Sequence, residues 1–257
     1  VVVATPASTH EGLLKAVLRT GKHILVEKPM VMSSAEAAAV KTELSAATTF
    51  MVAFQYVYND YIRKLKELID AGQLGTVAYV LGQNWYFGPL RRDIGSFGDA
   101  GAHELSIIEY LFNPGAIVTS ARHSFAIAVP GSDDFSTVTA EYSSGLRAHI
   151  STSWFVPEKS RQMIVVGDKG VAVFNDTSLT EKLKLYMRPY PTKSMAHSSN
   201  FIKDLAAIPP EFVNVQAGEP LQNQLDHFVA CVRSQQNPDT DFEFGRKIVE
   251  QIETIQQ

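Results

Sequence analysis

The sequence of 257 residues holds a single cysteine, Cys231. One thiol makes no internal disulfide and no multi-cysteine zinc cage, which suits a reducing, cytoplasmic setting. No stretch approaches the about 18 consecutive apolar residues of a membrane-spanning helix, and no signal-peptide pattern is visible. Basic runs are missing too. Lys and Arg number 23 against 27 Asp and Glu, a net charge of −4, so the electrostatic footprint of a nucleic-acid binder is not there. No internal repeat and no low-complexity tract interrupts the chain. What remains is 45% hydrophobic and 19% charged, an ordinary globular composition with room for one large core or two domains. The first residue is Val1, inside an apolar run and not a methionine, and the expectation is that more chain precedes it.

Residues 1–4 are uniformly apolar, the pattern of a parallel strand buried on both faces. Thr5-Pro6 ends it. Ser8 and Glu11 stand at capping-box spacing and predict a helix with Leu14, Val17 and Leu18 inside, stopped by Gly21. A second strand follows at 23–26. Ser33 and Glu36 repeat the box before an alanine-rich helix to about Ala46, and 49–54 reads as a third strand. Strand and helix alternating with short links imply a parallel sheet with right-handed crossovers. After Tyr56 a helix carries Ile62, Leu65, Leu68 and Ile69 on one face and stops at Gly72. The texture then turns to β, with strands expected at 76–84, 119–125, 135–142, 146–154 and 162–166 and turns at 143–145 and 167–170. The strand at 146–154 alternates, so one of its faces is solvated or forms an interface. Residues 189–210, with four prolines, read as an irregular arm, and two amphipathic helices close the chain. A run of strands after βα units implies a second domain with an antiparallel or mixed sheet.

Two stretches carry chemistry. Gly21 to Pro29 runs from a strand into Glu27-Lys28-Pro29, and ligands of open α/β sheets collect beyond the carboxyl ends of the strands. The proline fixes φ and removes a donor, so the backbone turns away after the lysine. Taken alone, the same tripeptide also suits a solvated strand-to-loop junction. In the second stretch, Asp99-Ala100-Gly101-Ala102-His103 opens a helix whose stripe is Leu105, Ile108 and Leu111. Asp99 and His103 at i and i+4 share a face, and a carboxylate beside an imidazole raises its basicity, as a general base requires. Taken alone, these residues fit an Asp N-cap followed by a surface histidine slightly better. A metal pair is a third reading, but further ligands at zinc spacing are missing, so none is expected.

These residues resemble the glucose–fructose oxidoreductase / inositol dehydrogenase / rhizopine catabolism (Gfo/Idh/MocA) family. Residues 3–10, the Gly21 to Pro29 stretch, Asp99-x-Gly101-x-His103, residues 65–75 and Glu219-Pro220-Leu221 with the terminal helices match its motifs in order across the chain. The resemblance implies an α/β fold. It places a truncated Rossmann-like parallel sheet in residues 1–55. An α/β substrate and oligomerisation domain with a large mixed or antiparallel open sheet then fills 56–257, its terminal helices packing back on the first. It further implies an NAD(P)-dependent oxidoreductase that takes hydride from a sugar, nucleotide-sugar or cyclitol hydroxyl. Lys28 would bond the reacting oxygen beside the nicotinamide, His103 would take its proton, and Asp99 would orient His103 or touch substrate. Thr5, Pro6, His10, Glu27 and Lys28 match the cofactor-binding positions. A homodimer or homotetramer through the open sheet is implied.

One feature departs from the family. The family's G-x-G-x-x-G loop and the acidic residue about 20 positions beyond it do not occur here. The missing strands and pyrophosphate loop are expected upstream of Val1, and NAD or NADP binding by these residues alone is expected to be weakened. A catalytically silent sugar-binding or regulatory homologue is the alternative; the lost loop favours it and the retained Lys28 and His103 oppose it. Ahead of the Asp/His helix, Gly88-x-x-Arg91-Arg92-Asp93 is similar to members that process nucleotide sugars. Arg91 or Arg92 would meet a diphosphate, or else both lie on a surface loop. Tyr86 and Trp85 wall a sugar site or simply pack.

Overall fold

In a computed structural model the described residues are 1–88, 90–91, 94–128, 130–187 and 209–257. Most of the expected irregular arm lies outside them, as does Arg92.

The first 54 residues build a three-stranded parallel sheet in the order β1 (Val2–Val3), β2 (Ile24–Glu27), β3 (Phe50–Ala53). The crossovers are helices α1 (His10–Leu18) and α2 (Ser34–Lys41). Leu25 pairs with Val2 on one side and Met51 on the other. All of β3 is buried, and β2 is buried until Glu27, which is exposed. The apolar run therefore ends where the sheet meets solvent. One expected cap forms: Ser33 Oγ accepts from the Glu36 amide at 3.2 Å. The other does not. Thr9 folds back on the Pro6 carbonyl through both its amide and its hydroxyl, so Ser8 sits inside a single 3-10 turn and α1 starts at His10. Helix α2 also stops short of Ala46, at Lys41, where Thr42 Oγ1 bonds back to the Ala39 carbonyl.

The rest of the described chain forms an eight-stranded sheet in the order β11-β10-β9-β8-β4-β7-β6-β5. Its strands are β4 (Val77–Phe87), β5 (Ile117–Phe125), β6 (Phe135–Tyr142), β7 (Arg147–Ser153), β8 (Phe155–Gly167), β9 (Gly170–Asn175), β10 (Leu183–Met187) and β11 (Glu211–Phe212). Only the central β4–β7 pair is parallel. The strand expected at 162–166 is longer than its apolar stretch, because β4 supplies a partner ladder from Phe87 back to Val77.

One face of this sheet, with Val80, Ile150, Met163 and Val165, packs under helices α3 (Asp60–Asp70) and α4 (Ala102–Phe112). The other face presents Tyr79, Leu81, Arg147 and His149 to solvent, as the alternation implies. Helices α5 (Pro220–Ser234) and α6 (Phe242–Gln256) close the chain. Ahead of α6, Thr240 exchanges two hydrogen bonds with Val52 of β3, its Oγ1 donating to the Val52 carbonyl at 2.6 Å. From α6, Lys247 and Gln251 reach Glu109 of α4 at 2.7 and 3.1 Å. The same helix thus grips both sheets. Gly245 permits this approach: a Cβ there would stand 2.7 Å from Val52 and 3.0 Å from Met30. Among the described residues no helix is long and apolar enough to cross a membrane.

Candidate active site

The site forms where β1 and β2 end. Lys28, half-buried, follows exposed Glu27, and the Lys28–Pro29 peptide is cis. Beneath the two strand-end loops lies His10, fully buried. Its Nδ1 is 3.0 Å from the Pro29 carbonyl and 3.2 Å from that of Met30, and its Nε2 is 3.0 Å from the Thr5 carbonyl. The resemblance places His10 at the cofactor. Here it lies behind the loops, where it braces Thr5-Pro6 against Pro29-Met30. Thr5 and Pro6 stay exposed above it.

Facing Lys28 is the start of α4, preceded by a π-helical turn, Phe97–Gly101. Asp133 anchors that turn by accepting from the Ser96 hydroxyl and the Phe97 amide. The turn delivers Asp99 to the lysine. Lys28 Nζ donates to the Asp99 carbonyl at 2.9 Å and to its Oδ1 at 2.6 Å, with both side chains only 13% exposed. The other carboxylate oxygen accepts from the Tyr86 hydroxyl at 2.9 Å, and Trp154 Nε1 donates to that hydroxyl at 3.0 Å. Arg91 Nη1 lies 3.6 Å from Asp99 Oδ1. Burial opposes ionisation of Asp99, but the Lys28 charge and the Lys28 and Tyr86 hydrogen bonds outweigh it and hold the carboxyl below its ordinary range.

The helical spacing predicts that Asp99 supports His103 directly. The geometry differs. Both Asp99 oxygens turn to Lys28 and Tyr86, while His103 Nδ1 is buried with no partner. A charge-assisted bond to an ammonium outcompetes one to a neutral ring. His103 rests edge-on against the Tyr56 ring, centroids 5.2 Å apart. Burial first, and Lys28 second, hold its pKa well below 6.5, with Asp99 pulling the other way. The imidazole is neutral at neutral pH, the state in which it accepts a proton.

Tyr86 faces the site as the sequence reading allows, whereas Trp85, one residue away on the same strand, points to the opposite face and donates to Ser151 Oγ at 2.9 Å. Four residues of the site escape the sequence reading. Tyr56 donates its hydroxyl hydrogen to Asp176 Oδ2 at 3.1 Å and accepts from Arg161 Nη1 at 3.0 Å. Glu104, next to His103, is buried, with its Oε2 unpartnered. The phase of β8 was the available signal, since Arg161 lies in line with buried Met163 and Val165. Both faces of β8 are partly apolar, so alternation alone does not expose it. Among the described residues no three His, Cys, Asp or Glu side chains cluster as a metal would need.

Burial pushes the Glu104 carboxyl up to about 8, against smaller opposing effects of Asn84 and Arg161. A carboxyl whose folded pKa is raised favours folding fully below its unfolded value, and that contribution is lost as pH rises toward the folded one. Glu104→Gln removes the ionisation at nearly constant shape. Its melting temperature relative to the parent should therefore climb from pH 5 to pH 8, as scanning calorimetry would show. A difference independent of pH would mean that Glu104 is not held neutral.

Comparison with known proteins places this geometry. Residues 1–54 match the oxidoreductase family with an NAD-binding Rossmann fold, and residues 62–173 match the GFO/IDH/MocA C-terminal domain. The scyllo-inositol 2-dehydrogenase (NAD(+)) of Bacillus subtilis (strain 168) is 28% identical over 255 residues, which cover 93% of this chain and 68% of that protein. The inositol 2-dehydrogenase of Rhizobium meliloti (strain 1021) is 28% identical over 90% of this chain and 69% of its own length. Among solved structures, UDP-N-acetylglucosamine 3-dehydrogenase GnnA from Acidithiobacillus ferrooxidans superposes with a TM-score of 0.83 at 21% identity. That match covers 99% of this chain and 76% of the other, and it bears on the fold alone. Two successive matches to one family, spanning both sheets in order, together with the Lys28–Asp99 and His103 geometry, lead to one conclusion: the chain belongs to the Gfo/Idh/MocA oxidoreductase family.

Proposed function

We propose that this chain carries the catalytic centre of an NAD(P)-dependent dehydrogenase acting on the CH–OH group of a sugar, nucleotide sugar or cyclitol. The observation that carries the reading is the Lys28 ammonium, 2.6 Å from Asp99 and beside a neutral, half-buried histidine, at the carboxyl end of a parallel sheet. The residues present fit a nicotinamide cofactor. Thr5, Pro6 and Glu27 are exposed at the strand ends where such a ligand lies, and the brace through His10 holds their loops at a fixed spacing. When bound, that cofactor supplies a place for hydride to go. The chain itself supplies the rest. A substrate hydroxyl is too weak an acid to ionise unaided, so His103 takes its proton as the carbon is oxidised. Lys28 stabilises the negative charge that develops on the oxygen. Asp99, itself held by the Tyr86 hydroxyl, aims Lys28.

The test is turnover of a panel of sugars, cyclitols and nucleotide sugars by the intact protein with NAD and with NADP, followed by nicotinamide absorbance. The expected result is reduction with at least one of them. Tight sugar binding with no turnover under either cofactor would sink the dehydrogenase and favour the silent binder.

A further inference from the structure

Next to the reacting groups lies a cavity of about 490 Å3, walled by Gln55, Tyr56, Asn59, Arg161, Asp176 and Lys182. It shares a wall with the site, because Tyr56 packs against His103 on one side and bonds Arg161 on the other. Arg161 also lies 5.7 Å over the ring of Tyr86, the tyrosine bonded to Asp99. The cavity wall carries two cations, Arg161 and Lys182, and two carboxylates, Asp176 and Glu219. One inner carboxylate, Asp176, faces two cations, Lys182 at 3.4 Å and Arg161 at 4.0 Å. Both distances are long for charge-assisted bonds, which run at about 2.7–2.9 Å; Lys182 has besides only the Asp176 carbonyl at 3.3 Å and Arg161 Nη1 the neutral Tyr56 hydroxyl, so neither charge is closely matched by these contacts. Arg161 Nε is buried with no partner. Glu219, the other carboxylate lining the cavity, is exposed at its rim, where solvent screens it. Glu104 behind the wall adds little opposing charge, since burial pushes its carboxyl up to about 8.

We propose that this cavity takes an anionic substituent of the substrate sugar, a phosphate or carboxylate, on Arg161 and Lys182, while the reacting hydroxyl meets Lys28 and His103. A guanidinium fork beside an ammonium matches such a group in both charge and geometry. A neutral ring would leave these donors facing hydroxyls and the desolvation of two cations uncompensated. The inference rests on the dehydrogenase reading only for the reacting end; the anion site stands on its own contacts.

The experiment compares glucose, glucose 6-phosphate, glucuronate and UDP-glucose with the intact protein, by turnover and separately by titration calorimetry. An anionic member should be preferred over glucose, and which one identifies phosphate, carboxylate or diphosphate as the group. Arg161→Met and Lys182→Met should each weaken that preference by about 10- to 100-fold, the scale of one lost charge-assisted bond, expressed mainly in KM. Arg161→Lys, which keeps the charge, should recover part of it; a melting curve checks that each variant folds. Anionic binding that falls in Arg161→Met without any turnover would uphold the anion site and count against the dehydrogenase. Turnover of glucose equal to that of its anionic relatives, or an anionic KM within about twofold in Arg161→Met, would overturn the anion site alone. No binding of any of the four overturns it too.

Discussion

Replacing Lys28 or His103 by alanine should lower turnover at least about 100-fold, the usual scale for losing a general acid–base partner. The two variants should fail differently. Lys28 and Asp99 are a nearly buried pair, and removing one partner strands the other, leaving Asp99 with Tyr86 and Arg91. Lys28→Ala should therefore lose stability as well as rate. His103 is held neutral, so its removal strands no charge and should spare the fold. The pH profile separates the roles further. The Lys28 charge depresses the His103 pKa; without it the imidazole titrates higher, and the acid limb of the residual activity in Lys28→Ala should move to higher pH. Turnover within about threefold of the parent in either variant would remove that residue from the mechanism. An unmoved acid limb would mean that His103 is not the group being titrated.

Trp154→Ala should be the most damaging single change to stability, at about 3–5 kcal/mol in a denaturant titration. Trp154 has no exposed surface. Its backbone amide donates to the Asp134 carbonyl at 2.9 Å, and its indole N–H donates to Tyr86. Space around it is already full: a Cβ on Gly88 would come within 3.2 Å of the indole and 2.2 Å of the Tyr86 ring. Truncation leaves a hole that these neighbours cannot close without moving Tyr86, and Tyr86 holds Asp99. Activity should fall with stability for that reason. Tyr86→Phe, by contrast, deletes two hydrogen bonds, one to Asp99 and one from Trp154, but leaves the packing, so it should cost about 1–3 kcal/mol. A Trp154→Ala loss below about 1 kcal/mol would show that the region collapses around the gap and that the tryptophan is not the pillar of this wall.

Much of the architecture was legible in the chain because local rules and the fold agree. Apolar runs at the start, closed by Ser33 and Glu36 and by Gly21, mark βα units that need no distant partner to be recognised. The turns at 143–145 and 167–170 carry glycines, and hairpins form there. Legibility fell where an element's neighbour decides its course. Ser8 has capping spacing, yet Thr9 competes for the same turn. Strand β8 extends beyond its apolar stretch because β4 runs alongside it. Trp85 and Tyr86 look equally suited to a sugar site, and only the pleat of β4 assigns one to each face.

The sequence by itself determined the kinds of chemistry available: an ammonium at a strand end, a carboxylate and an imidazole four residues apart, and no cysteine cluster or basic run to suggest another class. Those are properties of residue type and spacing, and they survive without coordinates. Tertiary structure alone decided who partners whom. Asp99 belongs to Lys28 rather than to His103, because a π-helical turn rotates the carboxylate across the boundary between the sheets, toward a charge that lies 71 positions away in sequence. Arg161, Asp176 and Tyr56 meet for the same reason. Bonds between distant positions arise from packing, and no local pattern encodes them.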